Sequence, residues 1–153
     1  AHEAVEPIGL AARDSLRLEM GYCLYGPDID AGTTPLEADL GWVMSKTNTG
    51  YIGASKVGEP KRKRIGIKLL DKGIAREHSE IRNQKDEKIG ELSSGGFSPS
   101  LQGAIGQGYV PVEYAKVGTK LMVNVRGRNI AAEVVSMPFL PARTKTVKKQ
   151  NAA

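Results

Sequence analysis

The amino-acid sequence predicts an α+β chain in which a short helical part precedes a run of antiparallel strands, and three observations carry that prediction. The apolar period is helical before residue 21 and becomes two after residue 61. Glycine recurs through the second part, at Gly95, Gly96, Gly103, Gly106, Gly108 and Gly118, as short strands joined by tight turns require. The charge divides at a similar place. Of 22 basic and 17 acidic side chains, residues 1–45 hold two and eight, a balance of −6, which leaves 20 and 9, or +11, for the remainder. The net charge of +5 therefore conceals two parts of opposite sign, unlike one module with a mixed surface.

With 153 residues, 25% of them charged and 40% hydrophobic, the chain has room for one ordinary domain, or for a small domain and a piece of another. That composition excludes a disordered or collagen-like chain. No apolar stretch approaches the roughly 20 residues that cross a bilayer, so no membrane partner is expected. The lone Cys23 excludes an intramolecular disulfide and a cysteine-based zinc cluster, and is expected to pack as a small hydrophobe in a reducing compartment. The opening Ala1-His2-Glu3-Ala4 has neither an initiator methionine nor a targeting pattern, and reads as a piece of something longer.

In chain order, Ile8, Ala12, Leu16 and Met20 recur every four residues, the stripe of an amphipathic helix that Pro7 precedes and Gly21 can end. Tyr25-Gly26-Pro27-Asp28 reads as a turn. Thr34, Pro35 and Glu37 make the pattern of a second helix start, with cap, first position and returning acid. Residues 46–60 dissolve into a linker or surface loop. Ile65, Ile67 and Leu69 then alternate with Gly66, Lys68 and Leu70, a strand buried on one face. Residues 79–93 read as a hairpin around a five-residue turn, Asn83 to Glu87. Ser98-Pro99-Ser100-Leu101 reads as one helical turn between strands. Leu121 to Val134 form a second hairpin with Gly127-Arg128 as a type II′ loop. Such a succession closes as a small barrel or a sandwich.

No self-sufficient catalytic motif is present. His2 and His78 lack partners at ligand spacing, so no metal site is expected. The glycines from Gly103 to Gly108 do not match a dinucleotide fingerprint and are better explained by close backbone packing. Basic runs at Lys61–Arg64 and from Arg143 to Lys149 could attract phosphate, but no aromatic side chains are interleaved with them, and nucleic acid is not an expected partner. The informative pair is Arg13 and Arg17, one turn apart on one helix face at the border of the apolar stripe. Such guanidinium groups can fork a polar ligand, or pair with Asp14, Glu19 or other nearby acids and hold the helix down.

The run Gly9-Leu10-Ala11-Ala12-Arg13-Asp14-Ser15-Leu16-Arg17-Leu18-Glu19 resembles the C-terminal part of the aminomethyltransferase family, the T-proteins of the glycine cleavage system. Leu24 to Asp30, Thr33 to Glu37, Tyr51-Ile52-Gly53, Gly95 to Leu101, Gly108 to Pro111 and Met137 to Pro141 continue the match in order. The resemblance implies that residues 1–55 are the end of an α+β folate-binding region and residues 56–153 a C-terminal antiparallel β-barrel. It implies transfer of a methylene group from the aminomethyl-lipoyl arm of H-protein to tetrahydrofolate, the acceptor substrate, with release of ammonia and no metal. The implied partners are lipoylated H-protein and the missing N-terminal part of the same protein. That part holds the family's catalytic aspartate, so no catalytic residue is expected here and this fragment alone is expected to be inactive.

By the same resemblance Arg13 is a folate-site arginine, with Arg17 and Tyr25 as further contacts. Arg143 stands where relatives commonly carry a tail tyrosine or arginine. The connection between Tyr51-Ile52-Gly53 and Arg64 is shorter than in relatives. The location implied is bacterial cytoplasm or mitochondrial matrix, the former slightly favoured. Related folate-binding demethylases and the dimethylglycine and sarcosine dehydrogenases are the alternative, as is a non-enzymatic basic barrel. The Lys61–Arg64 run is expected to be solvated and to help dock an acidic partner such as H-protein.

Overall fold

The structure is a computed structural model and describes residues 3–44 and 50–142. The expectations for His2, for Arg143 and the basic run that it opens, and for residues 46–49 of the loop lie outside the described residues.

Helix α1 spans Leu10–Glu19. Its end follows from Gly21, which sits at φ +65° and donates its N–H to the Leu18 carbonyl at 2.9 Å. Tyr22 donates to the Arg17 carbonyl, also at 2.9 Å, completing a left-handed cap that satisfies two orphan carbonyls. The Met137 side chain also crosses Gly21 so closely that an added Cβ would lie 3.0 Å from Met137 Cβ. The expected buried stripe is not the face that α1 buries. Ile8 and Leu16 are 75% and 61% exposed, whereas Leu18 and Glu19 are buried. Within the helix only Leu18 and Glu19, in its last turn, are buried, while Ala12 and Met20 of the expected stripe are partly exposed.

The Tyr25–Asp28 turn forms, closed by Gly26 N–H to the Ile29 carbonyl at 2.9 Å. Thr34 and Glu37 make the reciprocal cap, with Glu37 Oε2 accepting Thr34 N–H at 3.0 Å and Thr34 Oγ1 accepting Glu37 N–H at 3.3 Å. No second helix grows from it. The segment makes one turn, then Asp39 takes φ +57° and a short 3-10 turn follows at Gly41–Val43. A left-handed residue interrupts the helical dihedrals that propagation needs.

Six strands follow: β1 Arg62–Leu69, β2 Glu80–Arg82, β3 Lys88–Ser98, β4 Gly103–Pro111, β5 Lys120–Val125 and β6 Arg128–Val135. They pair antiparallel throughout and close as a barrel in the order β1-β4-β3-β2-β5-β6. Closure leaves no edge strand to protect. Ile65, Ile67 and Leu69 point inward as their period requires, against Ile81, Leu92, Val110 and Val123. The β2–β3 loop is Asn83 to Glu87, and Asn83 Oδ1 accepts the N–H groups of Lys85 and Glu87 at 2.9 and 3.0 Å. In β4 the glycines allow close crossing: an added Cβ at Gly108 would overlap the Glu91 carbonyl.

Two loops differ from expectation. The β5–β6 loop is Arg126-Gly127, one residue earlier, and both residues have positive φ, +52° and +82°, as a type I′ rather than II′ turn requires. Ser98 to Leu101 does not make a helical turn: β3 and β4 stay paired to Ser98 and Gly103, and a tight turn joins them with Gln102 at φ +50°.

The Lys61–Arg64 run is solvated at Lys61 and Arg62 and partly so at Lys63, but not at Arg64. Arg64 is 5% exposed and donates to the carbonyls of Ala38 at 2.8 Å and Gly21 at 2.9 Å and to Gln107 Oε1 at 2.7 Å. Lys63 pairs with Asp39, and Arg62 lies over the Tyr109 ring, 4.6 Å from its centroid, with Glu37 at 3.4 Å. Alternation along β1 puts residues 62 and 64 on the outer wall of the barrel, where the preceding segment lies. The strand's first basic residues therefore clasp residues 20–39 to the barrel.

Replacing Arg64 with alanine strands three buried acceptors, and Arg64→Ala is expected to lower the unfolding free energy in urea by on the order of 3 kcal/mol. A loss no larger than that of the exposed Arg128→Ala would contradict the clasp.

Candidate functional site

The site is built where the last turn of α1 and the 24–29 turn meet β3 and β4. Asp28 is 1% exposed, and its carboxylate collects four donors. Arg17 Nη1 and the Leu24 N–H reach Oδ2 at 2.6 and 2.8 Å, and the Ser93 and Ser94 hydroxyls reach Oδ1 at 2.6 and 2.8 Å. The Tyr109 hydroxyl donates to the Asp28 carbonyl at 2.7 Å. Arg17 is equally committed: Nε and Nη2 reach Asp14 Oδ1 at 2.8 and 2.6 Å, and Nη2 reaches Ser94 Oγ at 3.0 Å. Two residues beyond Arg17, Glu19 accepts from the Ser98 hydroxyl at 2.6 Å, the Ser100 N–H at 3.0 Å and the Ser100 hydroxyl at 2.9 Å. A buried carboxylate tolerates loss of water when its charge is paired or its oxygens are fully hydrogen-bonded: Asp28 is paired with Arg17, and Glu19, with no ion pair among the described residues, is held by three hydrogen-bond donors.

Two clefts flank this network and share Pro27, Glu77 and Ser93. The larger, about 710 Å³, runs over Tyr109 and Arg62 between Lys88, His78 and Glu91. The smaller, about 540 Å³, lies between α1 and β3 and is lined by Arg13, Arg17, Leu24, Arg76 and Gly95 among others. The structure thus brings Arg13 and Arg17 into one cleft. Tyr25 is 74% exposed and lines neither. Arg13 is exposed, and its guanidinium makes no hydrogen bond or ion pair among the described residues. Arg17 instead has the acid pairing that its spacing left open, with Asp14 and with the more distant Asp28. Sequence reasoning missed Arg76, which no motif marks, and the anchoring role of Asp28, whose turn context hid its burial.

Ionisation follows the packing. Burial pushes the Tyr109 phenol up to about 12, with smaller contributions from Cys23 and Asp28 and opposition from Arg64 and Arg62. Burial also pushes the half-buried Cys23 thiol up, against the attraction of Arg64, which makes it a poor nucleophile. For Glu19 burial works upward, but the hydrogen bonds from Ser98 and Ser100 outweigh it and hold the carboxyl below 4.5.

The fold places the chain among closed antiparallel barrels that carry a docked helical segment on the outer wall. The sequence pattern described as the glycine cleavage T-protein C-terminal barrel domain matches residues 62–140, and that of the GCVT N-terminal domain matches residues 1–48. The chain belongs to the glycine cleavage T-protein family. It is 49% identical over 144 residues to an aminomethyltransferase of Porphyromonas gingivalis, covering 90% of this chain and 40% of that protein. A mitochondrial aminomethyltransferase of Flaveria pringlei is 46% identical over 144 residues, with 88% and 35% covered. The crystal structure of glycine cleavage system aminomethyltransferase T from Bartonella henselae superposes with a TM-score of 0.83 at 39% identity, covering 92% of this chain and 41% of that one. The chain thus spans about two fifths of the length of the relatives it matches.

The raised Tyr109 value predicts that an ultraviolet titration shows one tyrosine ionising only near 12. Tyr109→Phe should remove that late step; a titration with no step near 12 would contradict the buried contact. Because Glu19 is held below 4.5, its contribution to stability is complete above that pH and is lost as pH falls through the lowered value. The stability gap between wild type and Glu19→Gln, read by urea melts, should therefore be widest near neutrality and narrow below 4.5.

Proposed function

We propose that this chain is the C-terminal part of a tetrahydrofolate-dependent aminomethyltransferase of the glycine cleavage system. The complete enzyme would move a methylene group from aminomethyl-lipoyl H-protein to tetrahydrofolate and release ammonia. The observation that carries the reading is the 49% identity over 144 residues, a span that takes in both the docked segment and the barrel. In this reading residues 1–55 close the folate-binding region and residues 56–153 form the barrel domain. Arg13, unpaired among the described residues and at the edge of a cleft of about 540 Å³, contacts the folate. Arg17, whose donors are taken by Asp14, Asp28 and Ser94, stiffens the wall behind it. Tyr25 offers its ring and hydroxyl from the adjoining turn.

The chain supplies one wall of the site, and no residue in it acts as the catalytic group. Ile8, Leu10, Leu16 and Trp42, 61–83% exposed, support a further partner, the part of a family chain that relatives carry beyond the matched two fifths. Lipoylated H-protein is the donor, and the compartment is bacterial cytoplasm or mitochondrial matrix, wherever glycine is cleaved.

A chimaera that replaces the matching part of the Porphyromonas gingivalis relative with this chain is expected to form 5,10-methylenetetrahydrofolate from aminomethyl-loaded H-protein. The 153-residue chain alone is expected to form none. Arg13→Ala in the chimaera should raise the KM for tetrahydrofolate about tenfold, the weight of one charge-assisted contact. An inactive but folded chimaera, or full turnover by the chain alone, would contradict the reading.

A further inference from the structure

Beyond β6 the chain turns back across the end of α1, and there Met137 lays a thioether against the buried Arg64. Its side chain is only partly exposed and runs through a cradle of two glycines. A Cβ built on Gly66 would lie 2.7 Å from Met137 Cγ and 3.1 Å from Phe139 Cζ, and one on Gly21 would lie 3.4 Å from Met137 Sδ. On that side no room is left for another heavy atom. Two residues on, the Phe139 N–H donates to the Glu19 carbonyl at 3.0 Å. Residues 137–139 thus strap both the last residue of α1 and the glycine that ends it to β1.

Arg64 Nη1 donates to Met137 Sδ at 3.8 Å, beside its bonds to the Gly21 carbonyl at 2.9 Å and to Gln107 Oε1 at 2.7 Å. No other methionine sulfur receives a hydrogen bond among the described residues. Arg64 Nε is taken by the Ala38 carbonyl, whereas Nη2 has no hydrogen bond among the described residues. Because no fully buried side-chain nitrogen or oxygen among them lacks a partner, Nη2 keeps contact with solvent. Arg64 and Met137 both line a cleft of about 190 Å³, several times the share of one water molecule in the liquid, about 30 Å³. A small peroxide therefore has space beside the sulfur and an unused donor at hand.

We propose that Met137 is a modification site for hydrogen peroxide, and that its oxidation to the sulfoxide releases the end of α1 from the barrel. The sulfur lone pair attacks one peroxide oxygen and the O–O bond breaks. The departing hydroxide takes the proton of the transferred oxygen, so that sulfoxide and water result, the sulfur oxidised and the peroxide reduced by two electrons. A guanidinium N–H beside the sulfur stabilises the charge that develops on the departing oxygen. The product is larger and polar. Its new oxygen finds no space against Gly21 and Gly66 and competes with the Gly21 carbonyl for Arg64 Nη1, so the strap is pushed off the helix end. Sulfoxide reductases reverse the step.

The test treats the 153-residue chain with dilute hydrogen peroxide and follows two readouts, peptide mass mapping of its four methionines and amide exchange by nuclear magnetic resonance. Met137 should gain one oxygen ahead of Met20, Met44 and Met122, and the Gly21 and Tyr22 amides should then exchange at least about tenfold faster while those of β5 keep their rates. Met137→Leu, which retains the apolar bulk, should leave these amides slow before and after peroxide. Methionine sulfoxide reductase should restore slow exchange in the oxidised wild type, a check that needs no substitution. If Met137 is still a thioether when the other three methionines are oxidised, the site is overturned. If Met137 is oxidised and Gly21 and Tyr22 exchange as before, or if folded Met137→Leu responds to peroxide like wild type, the release is overturned.

Discussion

The carboxylate of Asp28, fully buried, is the point on which the outer wall depends. A lone charge in that position would be prohibitively costly, so it persists only because Arg17 and three further donors converge on it. Those donors come from α1, from the turn that bears Asp28 and from β3. Geometry at one atom group therefore fixes three elements at once. Such a buried pair adds less net stability than its Coulomb attraction suggests, yet removing either partner costs about 3–5 kcal/mol, because the other is left uncompensated. Its consequence is orientation more than stability.

Two further polar anchors extend the same logic. Glu19 ties the end of α1 to the β3–β4 turn, and Arg64 ties residues 20–39 to β1 and, through Gln107, to β4. The helix is thus held by hydrogen bonds of defined direction at its last turn, while most of its apolar side chains stay exposed. Hydrophobic contact alone would permit sliding; directional anchors do not. That is why two arginines one turn apart can have opposite fates. Arg17 lies within reach of Asp14 and Asp28 and is consumed, while Arg13, at the cleft edge, has no side-chain partner among the described residues.

Much of the barrel was legible in the sequence because its determinants are local. Ile65, Ile67 and Leu69 state their period directly, the Asn83–Glu87 turn is marked by polar residues, and the Gly103–Gly108 run announces close strands. The loop at Gly127 was misplaced by one residue because a positive φ at Arg126 has no signature in side-chain type. The face of α1 was misread for a stronger reason. A four-residue apolar period says that a stripe exists, not that this chain covers it, and Leu18 and Glu19 are buried through contacts with β3, β4 and their connecting turn, some 80 residues away. Arg64 was hidden inside a basic run, where a sequence offers nothing to separate a solvated cation from a clasp. Arg13 was marked by its one-turn spacing from Arg17 and given a role by the resemblance of its motif, while Arg76 has no motif and emerges only from the cleft.

The central claim is that the helical segment and the barrel form one cooperative unit through these buried polar anchors. Native-state hydrogen exchange of the 153-residue chain across sub-denaturing urea tests it most directly. The account predicts that the Gly21 and Tyr22 amides, which close the end of α1, open with the same free energy and urea dependence as the core amides of β1 and β4. Opening of the helix end at a much lower free energy, with the barrel amides still protected, would contradict it.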